Sequence, residues 1–330
     1  MVNRTTCPAN VYSIYGLQVR VTGTGQKLPA VRGDGVPDVE MELAGFAGDF
    51  SARQRTQIYG PSTVPLADTP SLQIFRLFDA PNYYFRFPEQ IEFLISVDGR
   101  HVYGRWPDAF DLTYVAPLIL GPIMGYVLRM QTVTTLHASV VEIDGHAVAI
   151  TGSGGAGKST TAAAFARLGN AVLSDDLAPF RTVNGGIWIA PGYPRICLWP
   201  ESAQMLLGAP DAIPLLTDGW EKRFIDLQNP DYAFCGRDLP LGGVYWLGRR
   251  ANQGKAPTLE TLAPQDALTA LIGNTYAAAF GGSEQAILDL RLFSRLVSTI
   301  PVRKVTPSSD PEFLSQMCEL IRGDVCHVLG

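Results

Sequence analysis

The segment from Leu136 to Asp176, "LHASVVEIDGHAVAITGSGGAGKSTTAAAFARLGNAVLSDD", contains the feature that most limits what this chain can fold into. An apolar run ends in "GSGGAGKS", Gly152 to Ser159, and an alanine-rich stretch follows that stops near Gly169. The pattern G-x-x-x-x-G-K-[ST] between a strand and a helix predicts a loop whose backbone N–H groups curl around phosphates. Gly152, Ser153, Gly154, Gly155, Ala156, Gly157, Lys158, Ser159 and Thr160 are then the nucleotide-binding residues, with Lys158 neutralising β/γ oxygens and the Ser159 hydroxyl placed to ligate Mg2+. ATP and Mg2+ are the implied cofactors. The competing reading is a glycine-rich turn that binds no nucleotide.

The next strand, "AVLS", ends in Asp175 and Asp176. Ligands of open α/β sheets collect at the carboxyl ends of strands, and alternation sends adjacent side chains to different faces. Two neighbouring aspartates can therefore divide two tasks, one holding the metal and one accepting a proton from an attacking hydroxyl. His137 opens the strand before the loop strand; by itself a histidine there reads as a structural residue. "SVVEIDGHAVAIT" predicts a hairpin closing on Asp144-Gly145, so the strand entering the loop has an antiparallel neighbour and the sheet is mixed.

Composition narrows the setting. The chain has 330 residues, 46% apolar and 17% charged, against about 25% charged in average soluble proteins, which suits a folded chain with a sizeable core. A net charge of -5 with no dense Lys/Arg run argues against a nucleic-acid partner. The N-terminus has no continuous apolar core of a secretory signal. Cys7, Cys197, Cys235, Cys318 and Cys326 form no C-x-x-C pair, which points to a reducing, cytoplasmic location, and Cys326-His327 reads as a frayed tail. "LTYVAPLILGPIMGYVL", Leu112 to Leu128, is broken by two prolines and two glycines and predicts a buried helix, not a membrane segment.

The first hundred residues favour strands, including "VYSIYGLQVRVTG", "DVEMELAG", "LQIFRLF", "YYFRFP" and "IEFLISVDGRHVYGRWP", whose "VDGRH" signals a two-residue hairpin. They contain no cluster of acid, base and nucleophile. The expected organisation is a β-rich domain over 1–110 for substrate docking or scaffolding, then an α/β (α+β) mixed-sheet P-loop catalytic domain over 111–330. After Asp176 come short strands, "IWIAPGYPRICLWP" and "GGVYWLG". Helices follow in "PQDALTALIGNTYAAAF" and "EQAILDLRLFSRLV", and a last one, "PEFLSQMCELIRG", starts at Asp310-Pro311. "RRANQGKAP" reads as a loop. Arg195, Lys222 and Arg223 are candidate contacts to the transferred phosphate or the acceptor, and Glu201 a candidate for the magnesium shell.

His137, Gly152 to Ser159 and Asp175-Asp176, in that order, resemble HPr kinase/phosphorylase. The resemblance implies a fold of the HPr kinase/PEP carboxykinase type, and it implies that Asp176 is the base on an acceptor serine, supported by His137. Lys158 and Ser159 then serve phosphate and magnesium, and of the acid pair Asp175 is left as the candidate metal ligand. Thr160 stands where the bacterial regulators usually carry Glu, and their C-terminal signature loop is not found. The β-rich N-terminal unit followed by "LGPIMGYVLRMQTVTTLHAS" looks instead like HPr-kinase-like proteins of peptide natural-product systems, including lasso-peptide precursor kinases. The implied partner is a peptide or protein with an acceptor serine, and a homo-oligomer is open. An HPr-type kinase/phosphorylase and a nucleotide-gated peptide-binding module without catalysis are the alternatives.

Overall fold

The computed structural model describes residues 9–43, 55–59, 72–78, 80 and 82–329; Cys7 and the Ala44-Gly45 end of "DVEMELAG" lie outside them. The chain divides into two compact units, Met1–Gln131 and Thr132–Gly330. The division falls after the long apolar helix, about twenty residues beyond the boundary expected near 110.

Alternation builds the first unit. Val39–Glu42 and Leu17–Thr22 bury every second side chain, the period of a sheet with one covered face. The sheet runs in the order Val31–Arg32, Asn10–Ile14, Leu17–Thr22, Val39–Glu42, His101–Arg105, Glu92–Ser96, Asn82–Arg86, Gln73–Leu77, Arg55–Tyr59. Phe85, Phe93, Ile74 and Val102 are fully buried in it. The "VDGRH" hairpin forms, but as a four-residue connection, Val97 to Arg100. The Asp98 carboxylate accepts from the Ser96 hydroxyl and from the Arg100 N–H, and this side-chain capping widens the turn.

Helix Leu112–Leu118 starts at Asp111, whose carboxylate accepts from the Tyr114 N–H at 3.0 Å. A π-helical turn, Ile119–Ile123, joins it to helix Met124–Met130. Pro122 lacks the N–H that would continue regular bonding, so the chain widens there instead of breaking. The combined segment is long and apolar enough to cross a membrane, yet 72% of its most apolar stretch is buried within the protein.

The second unit is built on a mixed sheet. Thr135–Ile143 and His146–Gly152 form the expected hairpin, and Asp144 (φ 49°) with Gly145 (φ 76°) make the two-residue turn. From His146–Gly152 the order continues through Thr135–Ile143, Leu177–Val183, Gly186–Ile189, Leu239–Leu247, Val302–Thr306 and Thr258–Thr261, with Val172–Ser174 also on Thr135–Ile143. Leu239–Leu247 runs parallel to both His146–Gly152 and Val302–Thr306, so parallel and antiparallel pairs coexist. One face packs on helices Lys158–Arg167 and Leu314–Leu329, through Val148, Ile150, Phe165, Tyr245 and Ile321. The other packs on Pro264–Gly273 and Gly282–Thr299, through Ala149, Val244, Leu271 and Phe293. The last helix runs through Gly323 to Leu329, so Cys326 and His327 are helical residues and not a frayed tail, with the Cys326 thiol donating to Asp144 at 3.1 Å.

Candidate functional site

The loop strand His146–Gly152 delivers the chain to the carboxyl edge it shares with its parallel neighbour Leu239–Leu247, and helix Lys158–Arg167 departs from there. Two glycines are required by geometry. Gly152 has φ 152°, and a Cβ there would meet the Leu247 carbonyl at 2.8 Å; Gly157, at φ 106°, occupies the left-handed region just before the helix. The side chain of Lys158 is buried and folds back over the loop, donating to the carbonyls of Gly152 at 2.9 Å and Ser153 at 3.1 Å. Its ammonium therefore lies above the backbone that the phosphate reading makes a cradle.

The acid pair lies at the same sheet edge. Val172–Ser174 pairs antiparallel with Thr135–Ile143, and the chain turns at Asp175-Asp176 before Leu177–Val183. Asp176 sits at φ 70°, a conformation asparagine and aspartate tolerate better than most residues, and its carbonyl accepts from the Ala138 N–H. Asp175 is buried: its Oδ1 accepts from the Ser139 hydroxyl at 2.6 Å and its Oδ2 from the Cys197 N–H at 2.9 Å. Burial, and then the charge of Asp176, push the Asp175 carboxyl up to about 6, against hydrogen bonds from Ser139, the Cys197 backbone and Ser159. Ser159 and Asp175, far apart in sequence, thus meet.

His137 and Ser139 alternate onto one face of their strand, which brings the imidazole beside the same acids. Burial first, and then the charge of Lys158, lower the His137 pKa, while Asp176 pulls it the other way. The ring lies 6.4 Å from that of Tyr276, and the His137 N–H donates to the Asn274 carbonyl.

The oxygens of Asp175 and Asp176 and the sulfur of Cys197 fall within 4.8 Å of one another. The buried Asp175 carboxyl, raised by burial and by its neighbour Asp176, belongs to a donor set that a divalent cation would relieve, and hard oxygens beside the Ser159 hydroxyl fit Mg2+. The Cys197 sulfur does not; burial pushes its thiol up, and a protonated thiol is no magnesium ligand.

The peripheral candidates separate. Lys222 lies close enough to act electrostatically on His137 and Cys197, with its ammonium 4.9 Å over the Trp199 ring. Arg195 stacks its guanidinium 3.8 Å over Phe224, and Arg223 donates to the Ile213 carbonyl at 2.8 Å, both contacts within or beside the small sheet Arg195–Leu198 and Arg223–Asp226. Glu201 is exposed on the first turn of helix Pro200–Leu207 and is outside the Asp175, Asp176, Cys197 group. Ser139 and the Cys197 N–H, which hold Asp175, were not singled out by sequence; the two-residue spacing from His137 is the only local sign of Ser139.

No protein-family model matches the chain. It is weakly similar to HPr kinase/phosphorylase of Clostridium tetani, 24% identical over 152 residues, which is 44% of this chain and 49% of that protein. The chain thus spans about half the length of the curated relative it matches. Among solved structures, the Hpr(Ser) kinase/phosphatase of Coxiella burnetii aligns at 17% identity over 59% of this chain and 99% of that one, with a TM-score of 0.33.

Proposed function

We propose that the protein is an ATP- and Mg2+-dependent kinase that transfers the γ-phosphoryl group to a serine hydroxyl of a peptide or protein. The observation that carries this reading is the convergence of Lys158, Ser159, Asp175, Asp176 and His137 at one sheet edge. Similarity to HPr kinase/phosphorylase supports the same class.

In this reading Lys158 leaves the loop carbonyls to bind β/γ oxygens, where a fixed cation stabilises the charge that spreads in the transition state. Ser159 and Asp175 hold Mg2+, which when bound screens the phosphate charge. Asp176 accepts the serine proton; the turn at φ 70° holds it half-buried beside the imidazole. His137, kept neutral by burial, accepts or donates a hydrogen bond without repelling the substrate's cationic partners. Lys222 supplies further positive charge close by.

We assign the first unit to holding the acceptor, because a sheet of nine strands among the described residues, with no phosphate-handling motif in its sequence, suits peptide docking. The acceptor we favour is the C-terminal residue of a lasso-peptide precursor, on the sequence pattern of that unit and of "LGPIMGYVLRMQTVTTLHAS". An HPr-type kinase/phosphorylase is the second reading, favoured by the name of the similar Clostridium protein. The test is mass spectrometry of precursor peptides and of HPr after incubation with the full chain and Mg-ATP. A gain of one phosphate on serine is expected for the precursor. ATP binding with no transfer to any acceptor, and no effect of Asp176→Asn, would reduce the protein to a nucleotide-gated binding module.

A further inference from the structure

The second sheet carries a cleft of about 550 Å³ on the face covered by helices Pro264–Gly273 and Gly282–Thr299, away from the loop helix, and the phosphate chemistry above gives it no role. Trp246 lines it from strand Leu239–Leu247; alternation puts that side chain on the side of Val244, which packs under the same two helices. Asp266 and Asn274 line it from helix Pro264–Gly273 and its end. Lys304 and Glu260 line it from the two outer strands, Val302–Thr306 and Thr258–Thr261.

Two contacts join the cleft to His137. The Asn274 carbonyl accepts from the His137 N–H at 2.9 Å. Trp246 is paired in register with Thr151, whose hydroxyl donates to the His137 carbonyl at 3.0 Å. The cleft therefore begins one strand from the phosphate loop, at the same sheet edge. A chain lying in it reaches that edge without crossing helix Lys158–Arg167, which covers the other face.

The charges of the cleft do not balance. Lys304 pairs with Glu260 at 3.5 Å. Asp266 is exposed on the first turn of its helix, and among the described residues no cation pairs with it. A free carboxylate and a half-buried indole lining one cleft match a guanidinium, which needs an anion for its planar fork and a ring to stack on. Spacing sets where such a group comes from. Strands lie about 4.8 Å apart and an extended chain advances about 3.3 Å per residue. The cleft spans the three strands next to the loop strand, so with a serine at the loop it is reached by side chains about two to four residues away. We propose that this cleft takes a basic side chain of the acceptor peptide, arginine before lysine, two to four residues from the phosphorylated serine, with Asp266 as the specificity-determining residue and Trp246 as its platform. The inference rests on the kinase reading for the serine, and it adds to the docking assigned to the first unit a contact made by the second.

The test uses short peptides with one serine, internal or C-terminal, and with Arg, Gln or Glu placed two, three or four residues from it. Binding to the full chain is measured by calorimetry without nucleotide, and transfer by mass spectrometry with Mg-ATP, for wild type, Asp266→Asn and Asp266→Arg. Wild type is expected to bind the best arginine peptide roughly tenfold tighter than its glutamine counterpart, the sum of an exposed ion pair and a cation–π contact. Asp266→Asn should reduce that preference to about threefold. Asp266→Arg should reverse it in favour of glutamate, which a merely structural role for Asp266 would not produce. Equal affinity of wild type for all three peptides, or a preference for glutamate, would overturn the proposal. So would an Asp266→Arg variant that weakens all three alike. Arginine-dependent binding without transfer to any serine would leave the cleft standing and sink the kinase reading; transfer indifferent to arginine would do the opposite.

Discussion

The two sheets bury different kinds of residue. In the described part of the first unit the interior is apolar and aromatic, with Tyr84, Phe85, Phe93 and Ile95 at or near zero exposure, and Arg129 is the one charged or polar side chain counted as buried. The second unit buries Thr151, Lys158, Ser139, Ser174 and Asp175 within a few strand positions of one another, at one sheet edge. Burying a polar group costs roughly 1–3 kcal/mol unless it is hydrogen-bonded, and a charge costs more. A fold has no reason to concentrate that cost in one place for stability alone. Both units are organised by packing, and the second adds at one sheet edge a demand for fixed charge.

The largest expected effects break this contrast from the second unit's side. Lys158→Ala removes the ammonium over the loop and should lower phosphoryl transfer by two or more orders of magnitude while weakening ATP binding, read from transfer rates and ADP calorimetry. Asp176→Asn keeps the shape of the turn and should lower transfer by about 10² to 10⁴ with ADP affinity unchanged. If both variants lost binding and rate in parallel, the division between phosphate cradle and proton acceptor would be wrong.

A core truncation probes the other side. Phe93 is fully buried in the first sheet, and Phe93→Ala should destabilise that unit by about 3–5 kcal/mol. Scanning calorimetry with saturating ADP is the measurement. The ADP-stabilised transition should keep its midpoint while a second transition moves down; a single shifted transition would show that the two units unfold together.

The sequence was most legible where the signal is local. The loop and its helix, the Asp144-Gly145 turn and the aspartate pair each declare themselves within about ten residues, because turn geometry and strand alternation are short-range. Contacts across the fold were not readable. Ser139 meets Asp175 across 36 positions and the Cys197 N–H reaches it across 22, and no periodicity encodes either pairing. The apolar run from Leu112 reads as a buried helix from its pattern, but nothing local in it encodes the Phe85–Tyr126 ring contact at 5.0 Å by which it packs. Gly323 looked like a helix end, yet the apolar stripe carries on through Val325, and packing outweighs the roughly 1 kcal/mol penalty of an internal glycine.

A pH experiment sharpens the contrast further. The Asp175 carboxyl has an ordinary value of 3.8 and is raised to about 6 in the folded chain, chiefly by burial. Between those values the folded state holds more protons than the unfolded one, so stability must fall as pH rises from about 4 to 6 and level off above. Urea unfolding of metal-free wild type, minus that of Asp175→Asn, isolates this slope. A difference that grows in favour of wild type with rising pH would mean that the carboxylate is stabilised as the anion, contrary to the site described here.

The smallest effect tests what holds that carboxylate. Ser139 is fully buried and its hydroxyl donates to Asp175 Oδ1 at 2.6 Å, so Ser139→Ala removes one donor and leaves the Cys197 N–H and Ser159 in place. A hydrogen bond to an ionised group is worth about 1.5–3 kcal/mol and one to a neutral group about 0.5–1.5. The loss should therefore be larger at pH 8, where Asp175 is charged, than at pH 5, where it is largely protonated, and the midpoint of the wild-type slope should move upward. The measurement is the difference in unfolding free energy at the two pH values without metal. Equal losses at both would mean that the hydroxyl packs beside Asp175 without supporting its charge; the anion would then owe its stability to the backbone N–H, and Ser139 would drop out of the site.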